Sequence, residues 1–274
     1  MRSTDDLARA AGWLREADGL VVAAGAGMGI DSGLPDFRGP AGFWGAYPAL
    51  GRARIHFEAI ANPAAFARDP RLAWGFYGHR LALYRDTRPH AGFHQLLAMA
   101  ARLPHGAFVF TSNVDGQFQK AGFAADRICE IHGSIHHLQC SAGCSDAIWP
   151  ADGFVPAVDA AACRLTGELP HCPRCGALAR PNVLMFGDWG WIGRRSEAQQ
   201  ARLAEWLAAV DRPVCIEIGA GTAIPSVRHF AENHGGRLVR INPDEPQVPD
   251  PRTGISLPLG GREGIAALAA ALAA

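Results

Sequence analysis

Four cysteines of the chain stand in two close pairs. Three residues separate Cys140 from Cys144, and two separate Cys172 from Cys175. Thiolates at this spacing are typical ligands of tetrahedral zinc, and a site of four cysteines is structural because it leaves no open position for a substrate. The sequence therefore predicts a structural Zn²⁺ site. Cys163 is a candidate substitute ligand, and four scattered buried thiols are the alternative.

Two glycine turns follow apolar runs that are typical of strands. Glycines allow backbone N–H groups to approach a phosphate closely. The first turn is not the usual Rossmann fingerprint, because Ile30 occupies the position of its last glycine. A phosphate cradle and an ordinary tight turn are therefore both open at this point. The residues concerned are Gly25, Ala26 and Gly27 in the first turn, and Gly221, Thr222 and Ala223 in the second.

Polar side chains follow two other predicted strands. Asn113 and Asp115 come after the run 107–111, and His132 follows the run 127–131. Ligands of open α/β sheets bind outside the carboxyl ends of the strands. Asn and Asp can bond an amide or a sugar hydroxyl there, and an imidazole can act as a general base near neutral pH. Helix capping and a structural histidine are the alternatives.

Two further segments carry functional side chains. Asp36, Phe37 and Arg38 follow a proline-fixed turn on a predicted loop, where binding residues are common. Tyr77 and Arg80 are three residues apart and share one face of a predicted helix. A phenol and a guanidinium together can bind a carboxylate. The alternative is that Arg80 pairs with a surface acid while Tyr77 belongs to the core.

Short apolar runs alternate with helical patterns, which predicts an α/β fold. We expect a Rossmann-like parallel sheet with helices on both faces. Two stretches break the alternation, and we interpret them as insertions that build a smaller module. They are a helical insertion with a cofactor-binding loop at 39–85 and a zinc-binding module at 133–187, which leave 1–38, 86–132 and 188–274 for the Rossmann-like domain. Strands are expected at 19–24, 107–111, 127–131, 213–218 and 237–241, and helices at 4–17, 71–85, 91–103, 197–210, 225–234 and 262–273.

Composition excludes several other classes of protein. The 274 residues are 49% hydrophobic and carry 26 basic against 26 acidic side chains. A disordered tail would be less hydrophobic and more charged, and non-specific nucleic-acid binding would need a basic surface. The longest apolar stretches fall short of the ~20 residues of a membrane span, and no signal peptide is recognisable. We expect a cytoplasmic protein that binds neither membranes nor nucleic acid.

The motifs, in their order along the chain, resemble those of the sirtuins. The first is the Gly-Ala-Gly turn with Ser32-Gly33-Leu34-Pro35-Asp36-Phe37-Arg38, followed by Thr111-Ser112-Asn113-Val114-Asp115, His132-Gly133-Ser134 and the paired cysteines. Several positions depart from the family pattern, among them Asp188 in place of glutamate and Ala223 in place of serine. Gly29 stands for serine, Leu34 for isoleucine, Ser112 for glutamine, and Phe118 for a common histidine.

The resemblance implies NAD⁺-dependent removal of acyl groups from protein lysines, with release of nicotinamide and O-acyl-ADP-ribose. His132 would be the general base, while Asn113 and Asp115 would hold the ribose and the nicotinamide carboxamide. Phe186 and Gly187 would pair with the substrate peptide, and the Tyr77–Arg80 pair occurs in sirtuins that remove succinyl or malonyl groups. The NAD⁺-binding set implied is Gly25, Ala26, Gly27, Asp36, Phe37, Arg38, Ser112, Asn113, Val114, Asp115, Gly221, Thr222, Ala223, Asn242 and Gly261.

Two alternatives to this function stay open on the sequence alone. The first is a protein mono-ADP-ribosyltransferase on the same scaffold, against which the retained His132 argues. The second is a binding module for NAD⁺ and zinc that has no turnover.

Overall fold

The structure, a computed structural model, describes residues 2–35, 39–234 and 236–274. The helices are α1 (Arg2–Glu16), α2 (Gly27–Ile30), α3 (Gly39–Ala46), α4 (Pro48–Arg52), α5 (Phe57–Ile60), α6 (Pro63–Arg68), α7 (Pro70–Asp86), α8 (Ala91–Ala100), α9 (Gln117–Lys120), α10 (Arg194–Ala209), α11 (Ser226–His234) and α12 (Gly261–Ala273). The strands are β1 (Gly19–Ala24), β2 (Ala107–Thr111), β3 (Ile128–Glu130), β4 (Gly133–Cys140), β5 (Ile148–Pro150), β6 (Val158–Asp159), β7 (Arg164–Leu165), β8 (Ala179–Val183), β9 (Pro213–Ile218), β10 (Arg237–Ile241) and β11 (Gly254–Leu257).

A parallel sheet of six strands forms the centre of the molecule, in the order β11-β10-β9-β1-β2-β3. This confirms the predicted α/β fold. Four of the five expected strands have the predicted bounds, and β3 is shorter than the run 127–131. Strand β11 was not expected, because it is only four residues long and follows a stretch rich in proline and aspartate.

Helices cover both faces of this sheet, because alternate side chains of its buried strands point to opposite faces. Val22 of β1 packs with side chains of α1, α8 and α12, whereas the adjacent Val21 and Ala23 pack with α10 and α11. The predicted helices are present with shifted ends, and α8 stops three residues before the expected 103.

A smaller module stands beside the parallel sheet. Strands β5, β4 and β8 form a three-stranded sheet, and its core residues Ile135 and Leu138 join one hydrophobic cluster with Trp74 and Tyr77 of α7. Both chain segments that break the alternation thus contribute to one core. The exact domain boundaries stay a prediction. Within the described part of the chain, no helix is long and apolar enough to span a membrane.

Candidate active site and zinc centre

A cavity of about 660 Å³ opens at the carboxyl ends of the central strands. It is bounded by turns after β1, β2, β3 and β9, and by α7 and residues 183–186 of the smaller module. Twelve of the site residues expected from the sequence line it. They are Gly25, Ala26, Tyr77, Arg80, Ser112, Asn113, Val114, Asp115, His132, Phe186, Gly221 and Ala223.

The two glycine turns form one wall of this cavity and touch each other through their backbones. The N–H of Gly27 donates to the carbonyl of Gly219 at 3.0 Å. A Cβ built on Gly27 would lie 2.6 Å from the Cα of Gly219, and one on Gly25 would lie 2.6 Å from the Cα of Ala220. Gly219 also has φ +59, which side chains disfavour. These positions need glycine because the two backbones approach closely.

The turn after β2 places Asn113 and Asp115 in the cavity. The Asn113 amide donates to the carbonyl of Gly25 at 2.9 Å, which ties this turn to the first glycine turn. Asp115 accepts from the backbone N–H of Gln117 at the start of α9. The N-cap of this helix is Gly116, so neither Asn113 nor Asp115 takes the capping position that was the alternative. Burial raises the pKa of the Asp115 carboxyl to about 6, and the nearby Glu130 carboxylate adds to the rise.

His132 follows β3 and borders the same cavity as the glycine turns. Burial lowers the pKa of its imidazole below the ordinary value, and a hydrogen bond between the ring and the backbone of Ser112 opposes this effect. A histidine with a lowered pKa is neutral at neutral pH and can accept a proton. His136 instead bonds the backbone carbonyl of Asp115 at 2.9 Å and is structural.

Helix α7 forms the wall where Tyr77 and Arg80 were expected. Both side chains are buried and border the cavity. The Arg80 guanidinium donates from Nε and Nη2 to the hydroxyl of Tyr84, at 3.0 and 2.8 Å. Sequence reasoning missed Tyr84, although its spacing of i+7 from Tyr77 and i+4 from Arg80 puts it on the same helix face.

Other expected site residues lie outside the cavity lining. Thr222 donates its hydroxyl to Glu245 at 2.6 Å, and the buried Asn242 amide bonds the carbonyl of Ala220. Gly27, Gly187 and Gly261 do not border the cavity either. Their roles toward NAD⁺ or substrate stay predictions. The three residues expected on the loop, Asp36, Phe37 and Arg38, lie outside the described residues.

Two departures from the sirtuin pattern have physical reasons. A Cβ on Gly29 would come within 3.2 Å of the Leu34 side chain, so glycine at 29 makes room for leucine at 34. Phe118 is buried and packs edge-on against Phe93 and Phe123, where a histidine would leave polar atoms in an apolar core.

The four paired cysteines come together at one end of the smaller module. Their sulfur atoms all lie within 4.8 Å of one another, and the pairs Cys140–Cys175 and Cys144–Cys172 are 3.6 Å apart. A tetrahedron with Zn–S bonds of about 2.3 Å has S–S edges of about 3.8 Å. The geometry therefore fits structural zinc. Cys163 was wrong as a substitute ligand, because it is buried in the core beside α7 and outside this cluster.

The site and its scaffold are those of a known family. Residues 25–208 match the Sir2 family, and the chain therefore belongs to it. The chain is 31% identical to the NAD-dependent protein deacylase of Pyrococcus furiosus over 231 residues, which cover 84% of this chain and 83% of that protein. It is 31% identical to the NAD-dependent protein deacylase of Thermus thermophilus over 259 residues, or 93% and 91% of the two chains.

A solved complex of a Sir2 homolog with NAD is similar in three dimensions. The match has a TM-score of 0.73 at 28% identity and covers 97% of this chain and 93% of the other.

We expect one zinc ion per chain, bound by the cysteine cluster. Cys172→Ser removes one thiolate, so the variant should lose zinc and several kcal/mol of stability, because metal binding is coupled to the folding of such sites. Zinc is measured by elemental analysis and stability by thermal unfolding. Cys163→Ala is the matched control and should keep its zinc. Full zinc occupancy in Cys172→Ser would contradict the assignment.

The raised pKa of Asp115 predicts a pH-dependent cost in stability. The folded state holds this proton more tightly than the unfolded state, so the group's stabilising contribution is present below about pH 4 and is lost as the pH rises through about 6. Asp115→Asn keeps the acceptor for Gln117 and removes the buried charge. It should therefore be more stable than wild type at pH 8, by roughly 2–3 kcal/mol, and by less at pH 5.

Denaturant unfolding at the two pH values measures this difference. Asp126→Asn changes an exposed carboxyl and should show no such pH-dependent gain. If Asp115→Asn were less stable than wild type at pH 8, the buried Asp115 carboxylate would not be destabilising the folded state.

Proposed function

We propose that this Sir2-family protein is an NAD⁺-dependent protein-lysine deacylase that accepts acidic acyl groups such as succinyl and malonyl. The observation that carries the proposal is one cavity bordered by His132, by Asp115 and by the buried cation Arg80. A general base, a carboxyl at the predicted nicotinamide end and a carboxylate-binding cation are thus within one compartment.

The donors and acceptors of the cavity fit NAD⁺. Gly25 and Gly221 border it with backbone and no side chain, as a phosphate group requires. Asn113 and Asp115 supply an amide and a carboxyl to the ribose and carboxamide. Bound NAD⁺ supplies the ribose carbon that takes the acyl oxygen as nicotinamide leaves.

The chain's own contribution is to orient these groups and to move a proton. His132 borders the cavity, and its imidazole, with a pKa lowered by burial, is neutral and can accept a proton from a ribose hydroxyl. Apolar side chains such as Val114, Val183 and Ile224 border the same space and exclude water from the reacting groups.

Arg80 supports the choice of an acidic acyl group. Its side chain is 8% exposed and lies over the rings of Phe76, Tyr77 and Tyr84, with the guanidinium carbon Cζ 5.2–5.7 Å from their centroids. The Tyr84 hydroxyl and these rings orient the guanidinium at the border of the cavity. A carboxylate at the end of an acyl chain would add a charge-assisted hydrogen bond in a buried setting.

The proposed peptide substrate binds along the segment that follows β8. The N–H of Phe186 donates to the carbonyl of Ala61, which fixes this segment beside α5. Phe186 and Leu184 border the cavity and are both more than one-third exposed, and Trp189 nearby in sequence is fully exposed. The exposed apolar side chains of Leu184 and Phe186 at the border of the cavity suit an extended peptide that carries the acyl-lysine.

Removal of the Tyr77 hydroxyl and the Arg80 cation tests the acyl preference. The double variant Tyr77→Phe/Arg80→Met should lower kcat/KM for a succinyl-lysine peptide at least about 10-fold more than for the acetyl-lysine peptide. The reason is that only the succinyl group loses a charged hydrogen bond. Mass spectrometry of the two peptides, with and without NAD⁺, measures both rates.

Arg85→Met is the matched control on the same helix. Arg85 donates to the carbonyls of Ala151 and Phe154 and does not border the cavity, so its loss should leave the succinyl-to-acetyl ratio unchanged. Equal losses for both peptides in the double variant would remove the support for acidic acyl groups, while deacetylation by the wild type would still uphold deacylation.

A further inference from the structure

The strand that carries His132 is at the edge of the parallel sheet. β3 pairs only with β2 in that sheet, through Val109–Ile128, Phe110–Cys129 and Thr111–Glu130. Since neighbouring residues of a strand point their backbone groups to opposite sides, the N–H and C=O of Glu130 face away from β2. A buried edge leaves such groups without a strand partner, which is costly unless other groups replace it.

Side chains of α10 replace the missing strand at Glu130. The Gln199 amide oxygen accepts from the Glu130 N–H at 3.0 Å, and the Ser196 hydroxyl donates to the Glu130 carbonyl at 2.7 Å. Arg195 pairs with the Glu130 carboxylate, and the Gln199 amide N–H also reaches it at 3.4 Å. Three side chains of one helix thus bond the backbone N–H, the backbone carbonyl and the carboxylate of one residue.

These contacts are internal. Ser196, Gln199 and Glu130 are each at most 3% exposed. Hydrogen bonds in such a setting have little competition from water, and a lost partner leaves a buried polar group unpaired. The end of β3 therefore has a defined position relative to α10.

His132 follows Glu130 by two residues and takes its position from the same strand end. The N–H of Ile131 donates to the carbonyl of Thr111, and the carbonyl of His132 accepts from the N–H of Leu184. A shift of β3 along or away from β2 would therefore move the imidazole relative to Asn113 and Asp115.

We propose that Ser196 and Gln199 of α10 are positioning residues for the general base His132. By completing the open edge of β3 at Glu130, they set the distance between the imidazole and the ribose hydroxyl that it deprotonates. The inference rests on the proposed deacylase function.

The two steps of the reaction separate a positioning role from general destabilisation. Exchange of labelled nicotinamide into NAD⁺ in the presence of acyl-peptide reports breaking and re-forming of the nicotinamide bond, and it needs no base at the ribose hydroxyl. Formation of deacylated peptide needs that base. A displaced His132 should therefore slow the formation of deacylated peptide and leave the rate of nicotinamide exchange nearly unchanged.

Gln199→Leu removes both hydrogen bonds to Glu130 at nearly constant side-chain volume. We expect deacylated peptide to form on the order of 10-fold more slowly, as for a misplaced general base, while nicotinamide exchange changes less than about 2-fold. Gln200→Leu is the matched control, because the neighbouring Gln200 is exposed on the same helix. It should match wild type in both assays.

Ser196→Ala and Ser196→Thr extend the test with smaller changes. Ser196→Ala should also slow deacylation of the peptide more than nicotinamide exchange. Ser196→Thr keeps a hydroxyl and should restore part of the deacylation rate. If Gln199→Leu does not fold, the serine pair gives the answer. The positioning role would be overturned if the variants slowed nicotinamide exchange and peptide deacylation equally. It would also be overturned if Ser196→Ala and Gln199→Leu matched the control Gln200→Leu in both assays. Absence of deacylation in wild type would instead overturn the proposed function.

Discussion

The backbone contact between the two glycine turns is the constraint on which the cofactor end of the site depends. Strands β1 and β9 are parallel neighbours, so their carboxyl ends reach the same edge of the sheet. Their turns touch at Gly27 and Gly219, where a Cβ on either residue would overlap the other backbone at 2.4–2.6 Å. Asn113 then bonds Gly25 and attaches the turn after β2 to this wall.

The proposed catalytic groups lie where the parallel sheet meets the smaller module. Asp115 belongs to the turn after β2, yet its carbonyl is held by His136 of β4. Lys120, at the end of α9, donates to the carbonyl of Thr87 just after α7, the helix that carries Arg80. The turn after β2 and helix α7 are therefore connected through one short segment, residues 115–120.

The sheet and most of the site could be predicted from sequence because their signals are local. Continuous apolar runs ended by glycine or polar residues define β1, β2 and β9, and the parallel order brings Gly25, Asn113 and His132 to one edge. The rest depends on contacts between distant segments. Tyr84 belongs to the site because the Arg80 guanidinium donates to its hydroxyl. Ser196 and Gln199 contact Glu130 because α10 packs against the edge strand β3. The periodicity of the sequence does not predict such pairings.

The central claim is that His132 is the base of an NAD⁺-consuming deacylation. The most direct measurement follows nicotinamide and deacylated peptide together, for wild type and His132→Ala, with an acyl-lysine peptide. Wild type should release the two products in a 1:1 ratio and only when NAD⁺ is present, and His132→Ala should form deacylated peptide at least about 100-fold more slowly. Wild-type rates of NAD⁺-dependent deacylation in His132→Ala would contradict the claim.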